Sequence, residues 1–219
     1  RLRPYAPDEV RAAARALRYR THISVNLLVP GRPFPDNWLY IHTPHVALGR
    51  AANYANFTRE MAPDDRHSPV TLEYFTFPGD EIEARSDADI IDLALDEARR
   101  TGVLSDATPA DAFVVRNPKA YCVIERGFEA HRNVIRRYLA GFANLRTAGR
   151  AGMFKYNNQD HSIMTALLAA DGVLGISADP WAVNSDAHYH ESGTAPDVCV
   201  EDREDVTLAA PLSPHSEES

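Results

Sequence analysis

The segment from Leu145 to Ala170 constrains the fold more than any other part of the chain. Its first four residues are half apolar, which is typical of the end of a strand. Gly149 and Gly152 then permit backbone angles that other residues avoid, and they predict a turn. Polar residues follow at 157–160, and the Ala- and Leu-rich run from 163 to 170 indicates a buried helix. A strand, a glycine turn and a helix in this order present N–H groups to an anion or an electron-rich ring, so the segment predicts a binding site.

The residues of this segment resemble those of a known family. The pattern G-R-x-G-x-x-x-Y-N-N-Q-D-H-S-I, from Gly149 to Ile163, resembles the C-terminal FAD-contacting segment of flavoproteins in the amine-oxidase superfamily. It is most similar to the FAD-dependent oxidoreductases of the protoporphyrinogen-oxidase-like and UDP-galactopyranose-mutase-like group. Further motifs extend the resemblance over about residues 10–190. These motifs are Ala14–Arg20, Phe34–His42, Leu72–Phe75 and Pro118–Tyr121.

The resemblance implies that the cofactor is FAD and that the chain has a partner. Such flavoproteins normally begin with a strand, a G-x-G-x-x-G turn and a helix, which hold the FAD pyrophosphate. No G-x-G-x-x-G occurs in the 219 residues, and the chain begins with Arg1. The resemblance therefore implies the C-terminal portion of a longer protein. The partner would be an N-terminal FAD-binding half, in the same longer protein or in a separate chain.

The resemblance also implies roles for individual residues. In the family the Gly-Arg pair lies against the flavin, and in the mutase branch the matching arginine and tyrosine, here Arg150 and Tyr156, face the substrate's diphosphate. The residues expected to contact FAD are Gly149, Arg150, Gly152, Asn158, Gln159, Asp160, His161 and Ser162. The residues expected to contact the substrate are Arg150, Tyr156, Trp38 and Tyr40. The catalytic residues are left unassigned, because a flavin carries the redox chemistry while the protein orients it.

These roles have structural alternatives. The two glycines could belong to an ordinary turn, and Arg150 could form a surface salt bridge beside a half-buried Tyr156. The polar run at 158–162 could simply cap a helix. Trp38 and Tyr40, on a predicted strand, could be core residues or the wall of a substrate pocket.

Two histidine pairs raise the possibility of a metal site. They are His42-x-x-His45 and His188-x-His190, the second flanked by Asp186 and Glu191. A pair two residues apart on a strand points to one face and could chelate zinc. No third ligand is placed by the sequence, so we predict no metal site.

The order of the elements predicts a mixed α+β (α/β) fold, with an antiparallel sheet in a substrate-binding region and a terminal strand–glycine turn–helix that completes a Rossmann-like FAD domain. Helices are predicted at Pro7–Leu17, Asp87–Arg100 and Phe128–Leu139. Strands are predicted at Tyr19–Val29, Trp38–His42, Val46–Leu48, Val70–Phe77, Ala112–Arg116 and Ala120–Ile124. The predicted domains are a substrate-binding region over 1–142, the C-terminal segment of the FAD-binding domain over 143–191, and an acidic, disordered tail over 192–219.

The charge and composition of the chain indicate which kinds of partner and which cellular compartment to expect. The net charge is −8, and residues 192–219 hold seven acids and one base, which leaves about −2 for the remainder. An acidic tail on a nearly neutral body argues against nucleic acid and leaves a small-molecule substrate as the expected partner. No run of eighteen apolar residues occurs, so no membrane span is predicted. Two distant cysteines without a C-x-x-C pattern indicate a reducing compartment, and we expect a cytoplasmic protein.

The function implied by the resemblance is that of an FAD-dependent oxidoreductase, with hydride transfer from a C–N or C–C bond of the substrate to the flavin. Two alternatives stay open. One is a flavin-dependent isomerase of sugar nucleotides, like UDP-galactopyranose mutase. That branch usually has Asp then Met where this chain has Asn158 and Gln159. The other is a non-catalytic fragment that lacks the dinucleotide-binding half.

Overall fold

An antiparallel sheet flanked by helices forms the fold, in a computed structural model that describes residues 5–106 and 108–185. The helices are α1 (Asp8–Ala16), α2 (Glu81–Ala84), α3 (Asp87–Arg100), α4 (Phe128–Ala140), α5 (Gly149–Met153) and α6 (Gln159–Val173). The strands are β1 (Tyr19–Pro30), β2 (Trp38–Tyr40), β3 (Arg50–Asn53), β4 (His67–Thr76) and β5 (Asp111–Cys122). Short 3₁₀ turns occur at Tyr54–Asn56, Arg59–Met61 and Pro180–Ala182. The predicted mixed α+β class is confirmed.

The five strands follow the order β2-β3-β4-β1-β5, and every neighbouring pair is antiparallel. The central pair, β1 and β4, is in register from Thr21 opposite Thr76 to Pro30 opposite His67. Since successive side chains on a strand point to opposite faces, this register assigns each residue of the sheet to one of two faces.

One face of the sheet forms the main core with α3. Ile23 and Val25 on β1 and Leu72 on β4 are fully excluded from solvent. Ile90 and Ala94 of α3 are equally buried and belong to the same cluster. Burial of each large apolar side chain contributes roughly 1.5–3 kcal/mol, so this face is the main source of stability.

The boundaries of α3 confirm the prediction at both ends. The Ser86 hydroxyl accepts a hydrogen bond from the Asp89 N–H at 3.2 Å, which caps the first turn. Gly102, with φ of 76°, lies just beyond the last turn, where a left-handed residue commonly ends a helix.

The predicted strand at Val46–Leu48 is wrong, and the third strand is β3 instead. The backbone N–H groups of Ala47 and Leu48 donate to the Glu97 carboxylate at 2.8 and 2.9 Å. The Tyr74 hydroxyl donates to the same carboxylate at 3.0 Å. Burial and the nearby Glu97 carboxylate raise the pKa of Tyr74 far above its usual value, so the phenol stays a donor. A buried side chain on α3 therefore takes the N–H groups that a strand would have offered to a neighbour.

The two strands predicted on either side of Pro118 are one strand, β5. β5 lies at the edge of the sheet, where a residue without an N–H is tolerated. The pairing with β1 shifts between Arg20 and His22, opposite this part of β5.

The structure also corrects the prediction for the C-terminal segment. Residues 145–148 form no strand of the described chain, and the glycine turn is the short helix α5. Helix α6 begins at Gln159, but it is not buried as expected, because Ile163 is 62% exposed and Leu167 is 53% exposed. A strand needs a neighbour for its N–H and C=O groups, and the described sheet offers none to residues 145–148. The predicted Rossmann-like unit is therefore not formed by these residues alone.

The described residues up to Val183 belong to one compact unit. The predicted division into 1–142 and 143–191 stays a prediction. The proposed tail over 192–219, and the pair His188 and His190, lie outside the described residues. Among the described helices, none has the length and apolar character that crossing a membrane requires.

Candidate functional site

The sheet face opposite the α3 core, here called the open face, carries aromatic and charged side chains. The register assigns to it Trp38 and Tyr40 on β2, Arg50 on β3, Glu73 and Phe75 on β4, His22, Ser24 and Asn26 on β1, and Phe113 and Val115 on β5. Trp38 is 47% exposed, Tyr40 is 61% exposed and Phe113 is 56% exposed. Three aromatic rings at the surface of one sheet make this face suitable for a ligand.

Arg50 contacts most of the aromatic and charged side chains around it on the open face. Its guanidinium carbon lies 4.8 Å from the centre of the Trp38 ring and 4.5 Å from that of Phe75. One guanidinium N–H donates to the Tyr121 hydroxyl at 3.0 Å, and the group also forms an ion pair with Glu73. Both charged side chains of that pair are only 11% exposed. The arginine is thus held between rings and a carboxylate in one orientation.

The electrostatics keep this ion pair charged. Burial disfavours ionisation of Glu73, but neighbouring His22 and Arg50 outweigh it, and the pKa of the carboxyl lies below its usual value. The His22 Nε2 atom is 3.6 Å from the carboxylate. Burial likewise opposes the charge on Arg50, yet the hydrogen bond to Tyr121 and the charge of Glu73 raise its pKa.

Tyr121 connects the open face to the glycine turn. The guanidinium carbon of Arg150 lies 5.0 Å from the centre of the Tyr121 ring and 4.5 Å from that of Tyr156. The Nε–H of Arg150 donates to the Asn157 carbonyl at 2.8 Å. An array from Arg50 through Tyr121 to Arg150 and Tyr156 therefore brings the predicted substrate residues of β2 and of the glycine turn into one site.

The two glycines of the turn differ in what the fold requires of them. Gly149 has φ of 73°, which favours glycine, and its N–H donates to the Thr165 hydroxyl at 2.9 Å. At Gly152 an added Cβ would meet no described atom within 4 Å. The positive φ therefore explains Gly149, whereas nothing in the described chain requires a glycine at position 152; an added Cβ would have room at either position.

The start of α6 is partly capped by its own side chains. Asn158 and His161 form a capping box, in which the Asn158 N–H donates to His161 Nδ1 at 3.2 Å. His161 is 6% exposed and accepts this bond through Nδ1, which also lies 3.6 Å from an Asp160 carboxylate oxygen. Gln159 and Asp160 are exposed, and Ser162 is intermediate. Capping thus accounts for Asn158 and His161.

Sequence reasoning gave no role to Arg50, Glu73 or His22. The available signal was a carboxylate in the middle of the apolar run V-T-L-E-Y-F-T-F, because a buried carboxylate requires a cation or several N–H donors. The identity of that cation depends on strand pairing between Arg50 and Glu73, which the sequence alone does not specify.

No three His, Cys, Asp or Glu side chains within the described ranges are grouped so as to hold a metal ion. His42 stacks on Tyr40 with ring centres 6.2 Å apart, and His45 has φ of 66° in the loop that follows. His42 thus belongs to the edge of the open face, whereas the His45 carbonyl accepts a hydrogen bond from Arg100 of α3 at 3.3 Å.

Comparison with known proteins gives a fold likeness. No protein-family profile and no curated protein sequence matches the chain. Among solved structures, the chain is similar to reduced UDP-galactopyranose mutase, with a TM-score of 0.68 and 22% identity over 80% of this chain and 38% of that one. It is also similar to a candidate protoporphyrinogen oxidase from Exiguobacterium sp. 255-15, with a TM-score of 0.52 and 15% identity over 64% of this chain and 32% of that one. The chain therefore spans less than two thirds of either protein's length and shares the fold of the matching portion.

Proposed function

We propose that this chain is the substrate-binding and C-terminal FAD-contacting portion of an FAD-dependent oxidoreductase of the amine-oxidase superfamily. The observation that carries the proposal is the array from Arg50 through Tyr121 to Arg150 and Tyr156. This array joins a glycine turn, whose motif resembles that of the superfamily, to an aromatic sheet face. The fold likeness to a mutase and a candidate oxidase supports the same superfamily.

The residues present fit one edge of an FAD molecule. Open space lies beside Gly152, and Tyr156 is 49% exposed next to the Arg150 guanidinium. When bound, FAD would accept a hydride from a carbon of the substrate's C–N or C–C unit, and that single bond would become a double bond as the neighbouring atom loses a proton. The pyrophosphate would be held by a dinucleotide-binding turn in the N-terminal half.

In this proposal Arg150 holds an anionic group of cofactor or substrate. Its Nε–H is committed to the Asn157 carbonyl, so the terminal guanidinium N–H groups are the ones that face a ligand. Two such N–H groups can bind two oxygens in parallel, which fixes the orientation of a carboxylate or phosphate. The positive end of α6, capped at Asn158, would stabilise negative charge that develops nearby.

The open face would orient the remainder of the substrate. Trp38 and Tyr40 offer ring surface at the edge of the sheet, and their rings are 5.5 Å apart. Arg50 lies against both rings but is neutralised by Glu73, so it would shape the pocket more than it would attract an anion. This arrangement favours a substrate with a planar or apolar part and an anionic end near Arg150.

The N-terminal half would also complete the packing of the C-terminal helices. Ile163, Leu167 and Val173 on α6 are more than half exposed. Ala148, just before the glycine turn, has extended φ and ψ of −145° and 163°. In the proposal, the missing half covers the apolar side chains of α6, and residues 145–148 join its sheet as a further strand.

The test is to purify the chain alone and together with the half that carries the G-x-G-x-x-G turn, as one polypeptide or as two. The combined protein should be yellow, with FAD released on denaturation, whereas the chain alone should bind FAD weakly because most pyrophosphate contacts are missing. A colourless, folded complex would contradict the assignment of the cofactor. Tight, stoichiometric FAD on the chain alone would contradict the need for a partner.

Mutase chemistry is a second candidate, favoured by the likeness to UDP-galactopyranose mutase over 80% of the chain. Incubation of the reduced flavoprotein with UDP-galactopyranose separates the two reactions. Conversion to the furanose isomer without net oxidation would identify a mutase. Asn158 and Gln159 stand where the mutase branch usually has Asp and Met, which is why the redox reaction is our proposal.

A further inference from the structure

A second group of cations surrounds Trp181, separate from the array at the open face. It consists of Arg132 and Arg136 on α4, Arg146 in the loop after α4, and Lys155 after α5; we call it the Trp181 groove. The Arg136 guanidinium carbon lies 4.4 Å from the centre of the Trp181 ring, and that of Arg132 lies 6.0 Å from it. Stacking of this kind orients the guanidinium groups.

The groove is held in place by hydrogen bonds. The Lys155 ammonium donates to the Trp181 carbonyl at 3.0 Å and also to the Val183 carbonyl. Asp179 accepts a hydrogen bond from the Trp181 N–H at 3.0 Å, which caps the 3₁₀ turn at Pro180–Ala182. The tryptophan is therefore a fixed wall rather than a mobile surface residue.

The three arginines border two adjoining cavities, whereas the Lys155 ammonium is held by the Trp181 and Val183 carbonyls. The larger, of about 400 Å³, is lined by Arg136 and Arg146 together with Trp181 and Asp179. The smaller, of about 80 Å³, is lined by Arg132 and Arg136 beside Trp181. Two cavities that share Arg136 and Trp181 offer room for a ligand that contacts several of the cations at once.

The positive charge of the groove is only partly compensated, because Asp179 is the one carboxylate among the described residues that line the two cavities, and its charge acts on Lys155. In the described part of the chain, no carboxylate forms an ion pair with Arg132, Arg136, Arg146 or Lys155. The Arg132 Nε atom is buried and has no hydrogen-bond partner among the described residues. Burial, followed by the charges of Arg132 and Arg136, lowers the pKa of Lys155. Like charges held close together repel one another, most strongly at the half-buried Arg132 and Lys155, and a bound anion would offset that repulsion.

We propose that the Trp181 groove binds a small molecule that carries at least two linked phosphate groups. Guanidinium groups bind phosphate oxygens with two parallel hydrogen bonds, and three arginines match a diphosphate better than a single carboxylate. The Trp181 ring supplies apolar surface for a group attached to the phosphates. This site uses α4 and the Trp181 turn rather than Tyr121 and Tyr156, and its larger cavity shares no residue with the proposed FAD contacts, although Gly152 lines the smaller one.

Isothermal titration of the 219-residue chain with inorganic pyrophosphate, at physiological salt, tests the proposal. Pyrophosphate should bind about tenfold or more tightly than inorganic phosphate, because a second phosphate adds charge-assisted hydrogen bonds worth about 1.5 kcal/mol or more. The variant Arg136→Gln should weaken pyrophosphate binding by about tenfold or more for the same reason. Arg137→Gln is the matched control, because Arg137 is the next residue on α4 and is exposed, outside the groove.

A similar loss in both variants would show attraction to general surface charge and would overturn the proposal, as would the absence of pyrophosphate binding in the unmodified chain. A thermal melt without ligand checks that each variant folds. If Arg136→Gln fails to fold, Arg146→Gln replaces it, since Arg146 lines the larger cavity from the loop after α4. Unchanged pyrophosphate affinity in the folded variant would equally refute the site.

Discussion

The sheet with α3 and the C-terminal helices α4–α6 differ in how completely they bury their apolar side chains. In the sheet core Ile23, Val25 and Leu72 have no solvent exposure. On α6 the buried residues are His161, Thr165 and Ala169, while larger apolar side chains face outward. The same chain thus contains one region that closes its own core and another that does not.

The helices α3 and α6 explain this difference. α3 has an apolar stripe and a charged side, so one neighbouring sheet is enough to bury its stripe. α6 is apolar around most of its circumference, and a helix of that kind is stable when neighbours surround it. The apolar side chains of α6 therefore need more neighbours than the described residues provide. The proposed N-terminal half would supply them.

The most direct test of this comparison is to shorten a leucine in each region. Leu72→Ala should lower the free energy of unfolding by about 4 kcal/mol, because it leaves a cavity in a closed core. Leu167→Ala should change it by less than about 0.5 kcal/mol in the chain alone, since Leu167 is 53% exposed. Urea unfolding measures both values. Equal losses would show that α6 is covered within the chain, and a larger loss for Leu167→Ala only with the N-terminal half would support the proposed cover.

Loss of the ion pair between Arg50 and Glu73 on the open face should have the next largest effect on the free energy of unfolding. Arg50→Met should cost about 3 kcal/mol, because it leaves the Glu73 carboxylate without its partner at an 11% exposed position. The control is Arg59→Met, which removes an ion pair with Asp65 whose side chains are 74% and 68% exposed. That variant should lose less than about 1 kcal/mol. Similar losses in the two variants would indicate that the open face is as accessible to water as the surface loop.

The same ion pair should make the stability of the fold depend on pH. The pKa of Glu73 is depressed below its ordinary value of 4.5, so its ionisation stabilises the fold above that pH, and this stabilisation is lost as pH falls through the folded-state pKa. The unmodified chain should therefore be more stable than Glu73→Gln at pH 7, with a difference that narrows below about pH 4.5. Urea unfolding between pH 7 and pH 3 provides the comparison. A difference that does not vary with pH would show that the carboxylate contributes through packing rather than charge.

Arg150 lies where the two regions meet, and its conservative replacement separates binding from stability. Arg150→Lys keeps the charge but loses the forked guanidinium, so ligand binding in the protein joined to its N-terminal half should weaken by about 2 kcal/mol. The melting temperature should stay the same, since Arg150 holds little of the core. A lowered melting temperature with unchanged flavin and substrate affinity would make Arg150 a structural residue.

Removal of the helix caps of α3 and α6 should have the smallest effect on stability. Ser86→Ala in α3 and Asn158→Ala in α6 each remove a cap and should cost about 1 kcal/mol. In α3 the loss should appear in global unfolding, because that helix is part of the closed core. In α6 it should appear mainly as faster amide exchange in the helix itself, as expected for a region with less cover. Loss of global stability by the full amount in both variants would remove the distinction between the regions.

Local signals made much of the fold predictable. The Ser86 cap, the apolar periodicity and Gly102 define α3 within the sequence itself, and the structure confirms both ends. The apolar runs of β1 and β4 were likewise recognised as strands, with boundaries that differ by only a few residues. Each of these signals depends on neighbours in the chain, which is why no knowledge of the tertiary structure was needed.

The candidate site was predictable only in part. A short motif drew attention to Arg150 and Tyr156, which are six residues apart. The contact between Arg50 and Tyr121 joins residues 71 positions apart, and it arises because β3 and β5 belong to the same sheet. Strand order and register decide such contacts, and neither follows from local composition.

The segments 46–48 and 145–148, which form no strand in the described chain, show how sequence and tertiary structure divide the outcome. By composition, residues 46–48 and 145–148 are as extended and apolar as many strands, and that local tendency is what their sequence determined. Tertiary structure decided the outcome, because a strand exists only where a neighbour pairs with its N–H and C=O groups. At 46–48 the carboxylate of Glu97 takes the N–H groups, and at 145–148 the described sheet provides no neighbouring strand.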